Sequence, residues 1–216
     1  MKLRIILAAA MAALLIGSNF ATAQTTVPVD ASTVITARVG FAPNNDVNYR
    51  FVEVLHQRPD GGIYGAGFVD QGSPTEARDV YAGLGHAIKV PGAAISAVAF
   101  ISRTAGSDAA HTTSVVPWVL VRSSYKQVRG TANYFVYAPV DSTEGVTQSL
   151  EQAKAEWDFG TALGGGGISS QSVNGRWTTT PFISGTLKHP LGNFEVWLQS
   201  PADDDRAFQL RYQRAF

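Results

Sequence analysis

The 216-residue chain contains no cysteine. That absence excludes disulfides, thiol catalysis, cysteine-ligated metals and a cysteine-anchored lipid. Charge is also scarce: Asp, Glu, Lys and Arg make up 16% of the residues, below the usual share of about a quarter. The 17 basic and 17 acidic residues cancel, and no basic patch or run of one sign occurs. Nucleic acid is therefore not expected as a partner. Helical periodicity is weak outside the N-terminus. The one competing segment is 146–159 (VTQSLEQAKAEWDF), where SLEQAKAE supplies good helix formers. From Ala153 onward it alternates, with Ala153, Ala155, Trp157 and Phe159 against Lys154, Glu156 and Asp158, which favours a strand.

The N-terminus reads MKLRIILAAAMAALLIGSNFATA. Lys2 and Arg4 precede an apolar run over residues 5–16, and Ala21-Thr22-Ala23 supplies small residues where a signal peptidase reads. The run is shorter than the roughly 20 residues a transmembrane helix needs. Residues 1–23 are expected to be a cleaved secretory signal, and residues 24–216 a single domain. Without Lys2 and Arg4, 15 basic and 17 acidic residues remain, a formal charge of −2.

Alternation with a period of two then recurs to the end of the chain, punctuated by turn chemistry. It predicts strands over 33–41, 47–56, 63–69, 80–90, 95–103, 115–123, 131–138, 153–163, 168–173, 176–188, 194–199 and 207–216, the ninth being weak. The Gly run 164–167 reads as a flexible turn, and Asn174-Gly175 as a hairpin turn. Two structures share such a pattern. A soluble sandwich or lipocalin-like barrel is apolar inside, and a membrane barrel is apolar outside. The less apolar faces carry Tyr81, Gly83, Gly85, Asn133, Phe135, Tyr137, Thr178, Thr180 and Phe182 rather than Lys and Glu, which suits a crowded lumen. Connections also differ in length, with RPDGG, VPGAA, YKQVRG, the Gly run and HPLGN on one side of the pattern. DQGSPTEARD, TAGSDAAHTTS, 139–152 and SPADDD fall on the other, as in outer-membrane barrels, and the short PNND and Asn174-Gly175 on that side do not fit. Pro117 and Pro181 run against this reading, because each removes a ladder donor within a strand. Residues 115–121 are apolar on both faces, which suits a soluble core.

The chain ends FQLRYQRAF. Phe208, Leu210, Tyr212 and Phe216 give a terminal aromatic with apolar residues at alternate positions before it, and Arg214 interrupts the pattern. The segment resembles the C-terminal insertion signal of bacterial outer-membrane β-barrel proteins. The resemblance implies delivery to the outer membrane of a Gram-negative bacterium. Lipid, the barrel assembly machinery and periplasmic chaperones would be its partners.

Chemistry is sparse. Of the four histidines, His111 lies near Asp108 and Ser114 in a loop where such types coincide by chance. His86 is the polar residue on an otherwise apolar strand face, His189 precedes Pro190 in a tight turn, and His56 ends a strand. No pair has metal-ligand spacing, Asp203 to Asp205 read as a solvated turn, and the Gly run lacks the Lys of a phosphate loop. No cofactor is expected.

The expected fold is all-β: a closed antiparallel transmembrane barrel of 10–12 strands. The candidates for its lumen are Arg38, Lys89, Lys154, Glu156, Asp158, Glu195 and Arg211. If they pair across strands they plug a small barrel; an unpaired stripe would line a path for a charged solute. Arg50 and Glu53 fall on opposite faces of one strand, so one of them is misplaced or at a rim. The expected function is a non-enzymatic, porin-like channel for a small solute, or a component that exports or anchors an envelope polymer such as a polysaccharide. A periplasmic domain binding an apolar ligand, and a lipid-modifying barrel enzyme, are the alternatives.

Overall fold

The computed structural model describes residues 31–41, 47–71, 77–106, 112–141, 145–173, 175–199 and 208–216. The expected signal peptide, His111 and Asp203 to Asp205 lie outside the described residues. Twelve strands follow in order: β1 (Ser32–Phe41), β2 (Val47–Gln57), β3 (Gly62–Gln71), β4 (Ala77–Val90), β5 (Ala93–Gly106) and β6 (Thr112–Tyr125), then β7 (Val128–Pro139), β8 (Thr147–Asp158), β9 (Ala162–Val173), β10 (Arg176–Leu187), β11 (Asn193–Gln199) and β12 (Phe208–Ala215). Each pairs antiparallel with its sequence neighbour, and β12 closes the ring on β1. Closure leaves no sheet edge, the condition for a sheet to stand in hydrocarbon.

The seam is made by the last residues of the chain. Val34 to Phe41 pair with Ala215 back to Phe208, and the Thr33 and Phe216 backbones exchange both hydrogen bonds, at 2.9 and 3.2 Å. Both ends of the described chain therefore sit at one end of the barrel, with the five tight turns β2–β3, β4–β5, β6–β7, β8–β9 and β10–β11. In an outer-membrane barrel this is the periplasmic end. In the Pro91-Gly92 turn, Gly92 takes φ 77°, which a residue with a Cβ resists.

The exterior is apolar. Leu84, Ile101, Val80, Ile183 and Leu198 point outward and are exposed by 72, 64, 61, 62 and 52%. The same strands turn Tyr81, Phe100, Ser102, Phe182, Ser184, Trp197 and Gln199 inward, all buried. A soluble sandwich or lipocalin-like barrel does not fit this polarity: apolar side chains cover the outside, and ionised ones are enclosed.

Two departures from the expected strands have physical causes. The segment 146–159 is strand from Thr147 to Asp158, so β8 begins earlier than expected. The Gly run is not a turn. It lies inside β9, and the chain reverses at 159–161 instead. A Cβ on Gly165 would stand 2.1 Å from the Ala155 carbonyl oxygen and 2.7 Å from Glu156 Cα; one on Gly167 would stand 2.2 Å from the Ala153 carbonyl. The glycines let β9 lie close against β8. Gly165→Val is expected to block that pairing and abolish the compact, heat-modifiable gel band of a folded barrel. A normal band shift in the variant would show that β8 tolerates the side chain.

Pro117 sits at an interruption of the ladder. Pro117 pairs with Ala99 of β5, while the β6–β7 register passes from Val115↔Ala138 to Trp118↔Phe135 without it. Pro181 pairs with Ile168 of β9, and the described β10–β11 ladder starts one residue later, at Phe182. Pro117 is not asked for the β6–β7 hydrogen bond it lacks.

Candidate functional site: an ion-paired network across the barrel interior

The interior has two unlike halves. Strands β2 to β6 contribute an apolar layer in which Phe51, Tyr81, Phe100 and Trp118 follow one another, with ring centroids 6.3, 5.1 and 6.2 Å apart. Ile63, Val69, Val98, Val116 and Leu120 pack around them, with Phe135 and Tyr137 of β7 alongside. Residues 115–121 are apolar on both faces for this reason: Val116, Trp118 and Leu120 join the interior layer while Val115, Val119 and Val121 face outward.

The other half, on β8 to β12 and β1, is charged. Lys154 Nζ lies 2.8 Å from Glu156 and also bonds Glu195. Arg211 contacts Glu151 at 3.4 Å and Glu195 at 3.5 Å, and Arg38 pairs with Glu151. The three cations and three carboxylates balance, as enclosed ions must. Aromatic rings complete the cage. Arg38 lies over Phe51 at 4.3 Å, Arg211 over Trp197 at 4.3 Å, and Trp197 stacks on Phe182 at 4.2 Å. The Trp197 indole N–H donates to Glu195 at 2.6 Å, and the Ser184 hydroxyl donates to Glu156 at 2.9 Å.

The Arg38–Glu151 pair sets the shape of the interior. Its strands, β1 and β8, are five steps apart around a ring of twelve, so the pair nearly spans the diameter. Glu151 reaches this position through a β-bulge. In the β7–β8 register Asn133 faces Gln152 and Tyr134 faces Leu150, leaving Glu151 as the extra residue. A bulge re-aims the side chain it carries. Glu151 and Gln152 thus both turn inward, and both meet Arg211.

Of the seven lumen candidates, Arg38, Lys154, Glu156, Glu195 and Arg211 meet in this one network. Lys89 and Asp158 stand apart, near the periplasmic end of β4 and at the end of β8. Asp158 is gripped there by Lys188 at 2.6 Å and Arg129 at 3.0 Å. Glu53 is the inward residue of the ambiguous pair, buried and accepting the Tyr81 hydroxyl at 3.1 Å. Arg50 is exposed and pairs with Asp70 at 3.0 Å.

Glu151, Arg122 and, of the aromatic layer, Phe51, Phe100 and Trp118 were missed from sequence, whereas Tyr81, Phe135 and Tyr137 were read as facing the lumen. Strict alternation places Glu151 with Ala153 and Ala155 on the outer face, and only the bulge corrects it. Among the described histidines none faces the network. His86 lies on the outward face of β4, His56 bonds Thr33 at 2.8 Å and stacks on Tyr64, and His189 accepts the Leu191 N–H at 3.1 Å.

The C-terminal residues Phe208, Leu210, Tyr212 and Phe216 lie on the outward face of the seam. Phe208 stacks on Phe41 at 4.4 Å and Tyr212 meets Phe194 at 5.1 Å. Arg214, the break in the alternation, holds its guanidinium 4.6 Å from the Phe216 ring. Beyond the strands at the opposite end, the Asp141 carboxylate accepts the Thr113 N–H at 2.7 and 2.9 Å. Hydrogen bonds from Thr113 hold its pKa below the ordinary carboxylate value. This folded-state depression stabilises the contact above the ordinary pKa, and the contact is lost as pH falls through the lowered one.

No protein-family model and no curated protein matches the sequence. Solved structures do match the fold. A KdgM porin in complex with disordered oligogalacturonate superposes with a TM-score of 0.55 at 13% identity, over 84% of this chain and 96% of that one. A second KdgM porin structure gives 0.55 at 12% identity, over 85% and 98%. The twelve-stranded closed barrel is thus one that solved porins share.

Proposed function

We propose that this chain is a non-enzymatic, porin-like channel for small solutes in the outer membrane of a Gram-negative bacterium. One observation carries the reading: an apolar band faces outward while balanced ions are enclosed within a closed wall. Hydrocarbon outside and a polar path inside account for both. The similarity to KdgM porins supports it at the level of the fold, and the oligogalacturonate of one complex supports a small solute or saccharide as cargo. Five of the lumen candidates meet in one paired network across strands, the arrangement expected to plug a small barrel, and the Arg38–Glu151 pair narrows the path, so the channel is expected to conduct weakly.

Delivery follows the same reading. Residues 1–23 are a signal peptide, removed to leave one domain over 24–216. Phe208, Leu210, Tyr212 and Phe216 form the insertion signal read by the assembly machinery, and lipid then covers the outward band. Deleting Phe216 removes both a seam hydrogen-bond pair and the terminal aromatic. Cells carrying that deletion are expected to hold several-fold less folded barrel, measured as the heat-modifiable band in outer-membrane fractions. Undiminished assembly would remove the insertion role from this residue. The channel itself is tested by adding refolded protein to a planar bilayer, where discrete conductance steps are expected. A folded barrel that gives none would contradict the reading.

A further inference from the structure

The ion-paired network accounts for Arg38, Lys154 and Arg211, but not for a fourth interior cation. Arg122 continues the inward positions of β6 after Val116, Trp118 and Leu120. It lies close enough to feel the charges of Glu53 and Arg211, both inside the barrel. Yet it is exposed, and no carboxylate pairs with it among the described residues. Glu53, buried and accepting the Tyr81 hydroxyl, offsets part of the Arg122 charge from beyond ion-pair distance.

The wall around Arg122 differs from the wall above it. Arg122 pairs across the sheet with Ala94 on one side and Thr131 on the other. Ala94 in turn pairs with Lys89 of β4. Lys89 and Arg122 are therefore two strands apart, about 10 Å, with only a methyl group between them. Ser96 and Ser124 are the next inward residues on their strands, neither of them buried. Toward the middle of the barrel, Tyr81, Phe100 and Trp118 fill the same arc. Toward the periplasmic end the large side chains stop, and small and hydroxyl-bearing ones line a vestibule with Arg122 on one side. Arg129 and Lys188 stand at its rim, both paired with Asp158.

We propose that this vestibule is a binding subsite for small oxyanions, carboxylate- or phosphate-bearing solutes, with Arg122 as the residue that sets anion preference. This rests on the channel reading above and adds the sign of the solute. A guanidinium presents paired N–H donors to the two oxygens of such a group. Fixed charge in a low-dielectric cleft concentrates counter-ions and excludes co-ions. The paired network adds little to this preference, because its charges cancel within contact distance.

The test is the reversal potential of refolded protein in a planar bilayer under a KCl gradient at low ionic strength. The Debye length there exceeds about 10 Å, so the fixed charge is little screened. Wild type is expected to favour chloride over potassium. Arg122→Gln should reduce that permeability ratio by about threefold or more, within the range by which a focused charge alters local ion concentration. Arg122→Lys should retain most of it. Citrate should reduce wild-type current from one side of the membrane only, and that block should weaken in Arg122→Gln. Arg50→Gln, on the outer face, should change neither. Arg122 makes no ion pair among the described residues, so its variants are expected to fold, which the heat-modifiable band checks. Conducting wild-type and Arg122→Gln channels with the same ratio would overturn the subsite and leave the channel standing. A folded wild-type barrel that never conducts would overturn the channel, and the subsite with it.

Discussion

Glu151→Ala is expected to destabilise the barrel by about 3–5 kcal/mol, the cost of leaving an enclosed charge without its partner. Arg38 would lose its ion-pair partner, and Arg211 one of two. The loss should appear as a lower temperature for conversion of the compact band to the unfolded one. The second half of the expectation is that Arg38→Ala in the same chain restores much of the stability, since no stranded cation remains. The double variant also removes both side chains that span the interior, so its single-channel conductance should rise several-fold. Two single variants that each cost little would show that water already solvates these ions. The pair would then not be a barrier.

The second large effect concerns the outer face. Leu84→Arg places a charge on a residue exposed by 72%, on β4. On a water-facing surface that substitution would be nearly neutral. In a bilayer it is expected to cost about 2–4 kcal/mol at mid-depth. Ser124→Arg, on the inward face of β6 where the side chain is exposed, should cost far less, because that face does not meet lipid. Refolding yields into lipid vesicles compare the two directly. Equal tolerance of both would mean that lipid does not cover the outward band.

Much of this architecture was legible in the sequence because strand alternation is a local property. Val80, Tyr81, Leu84 and Gly85 declare their two faces without help from the rest of the fold, and so do Phe194 to Gln199. Which face meets lipid is not local. That choice came from the small and aromatic residues on the second face, from the difference in loop lengths and from the terminal Phe216. The misreadings share one cause, the loss of local signal where two strands interact. The Gly run resembles a turn until β8 is laid against it, and then the missing side chains become the reason it can be a strand. Pro117 argues against a strand until the β6–β7 ladder is seen to pass it by. Glu151 obeys the alternation on paper, and a single inserted residue sends it the other way. The five charged residues that do meet were each legible as inward-facing. Their meeting was not, because Arg38 and Glu151 are brought together only when β12 closes on β1.

Single-channel recording of the refolded wild-type protein beside the Arg38→Ala/Glu151→Ala variant is the most direct test of a channel narrowed by its own ion pair. Both proteins should first show the heat-modifiable band of a closed barrel. Small, discrete steps from the wild type, and steps several-fold larger from the variant, are the expected result. Two folded barrels that are both silent, or that conduct equally, would contradict it.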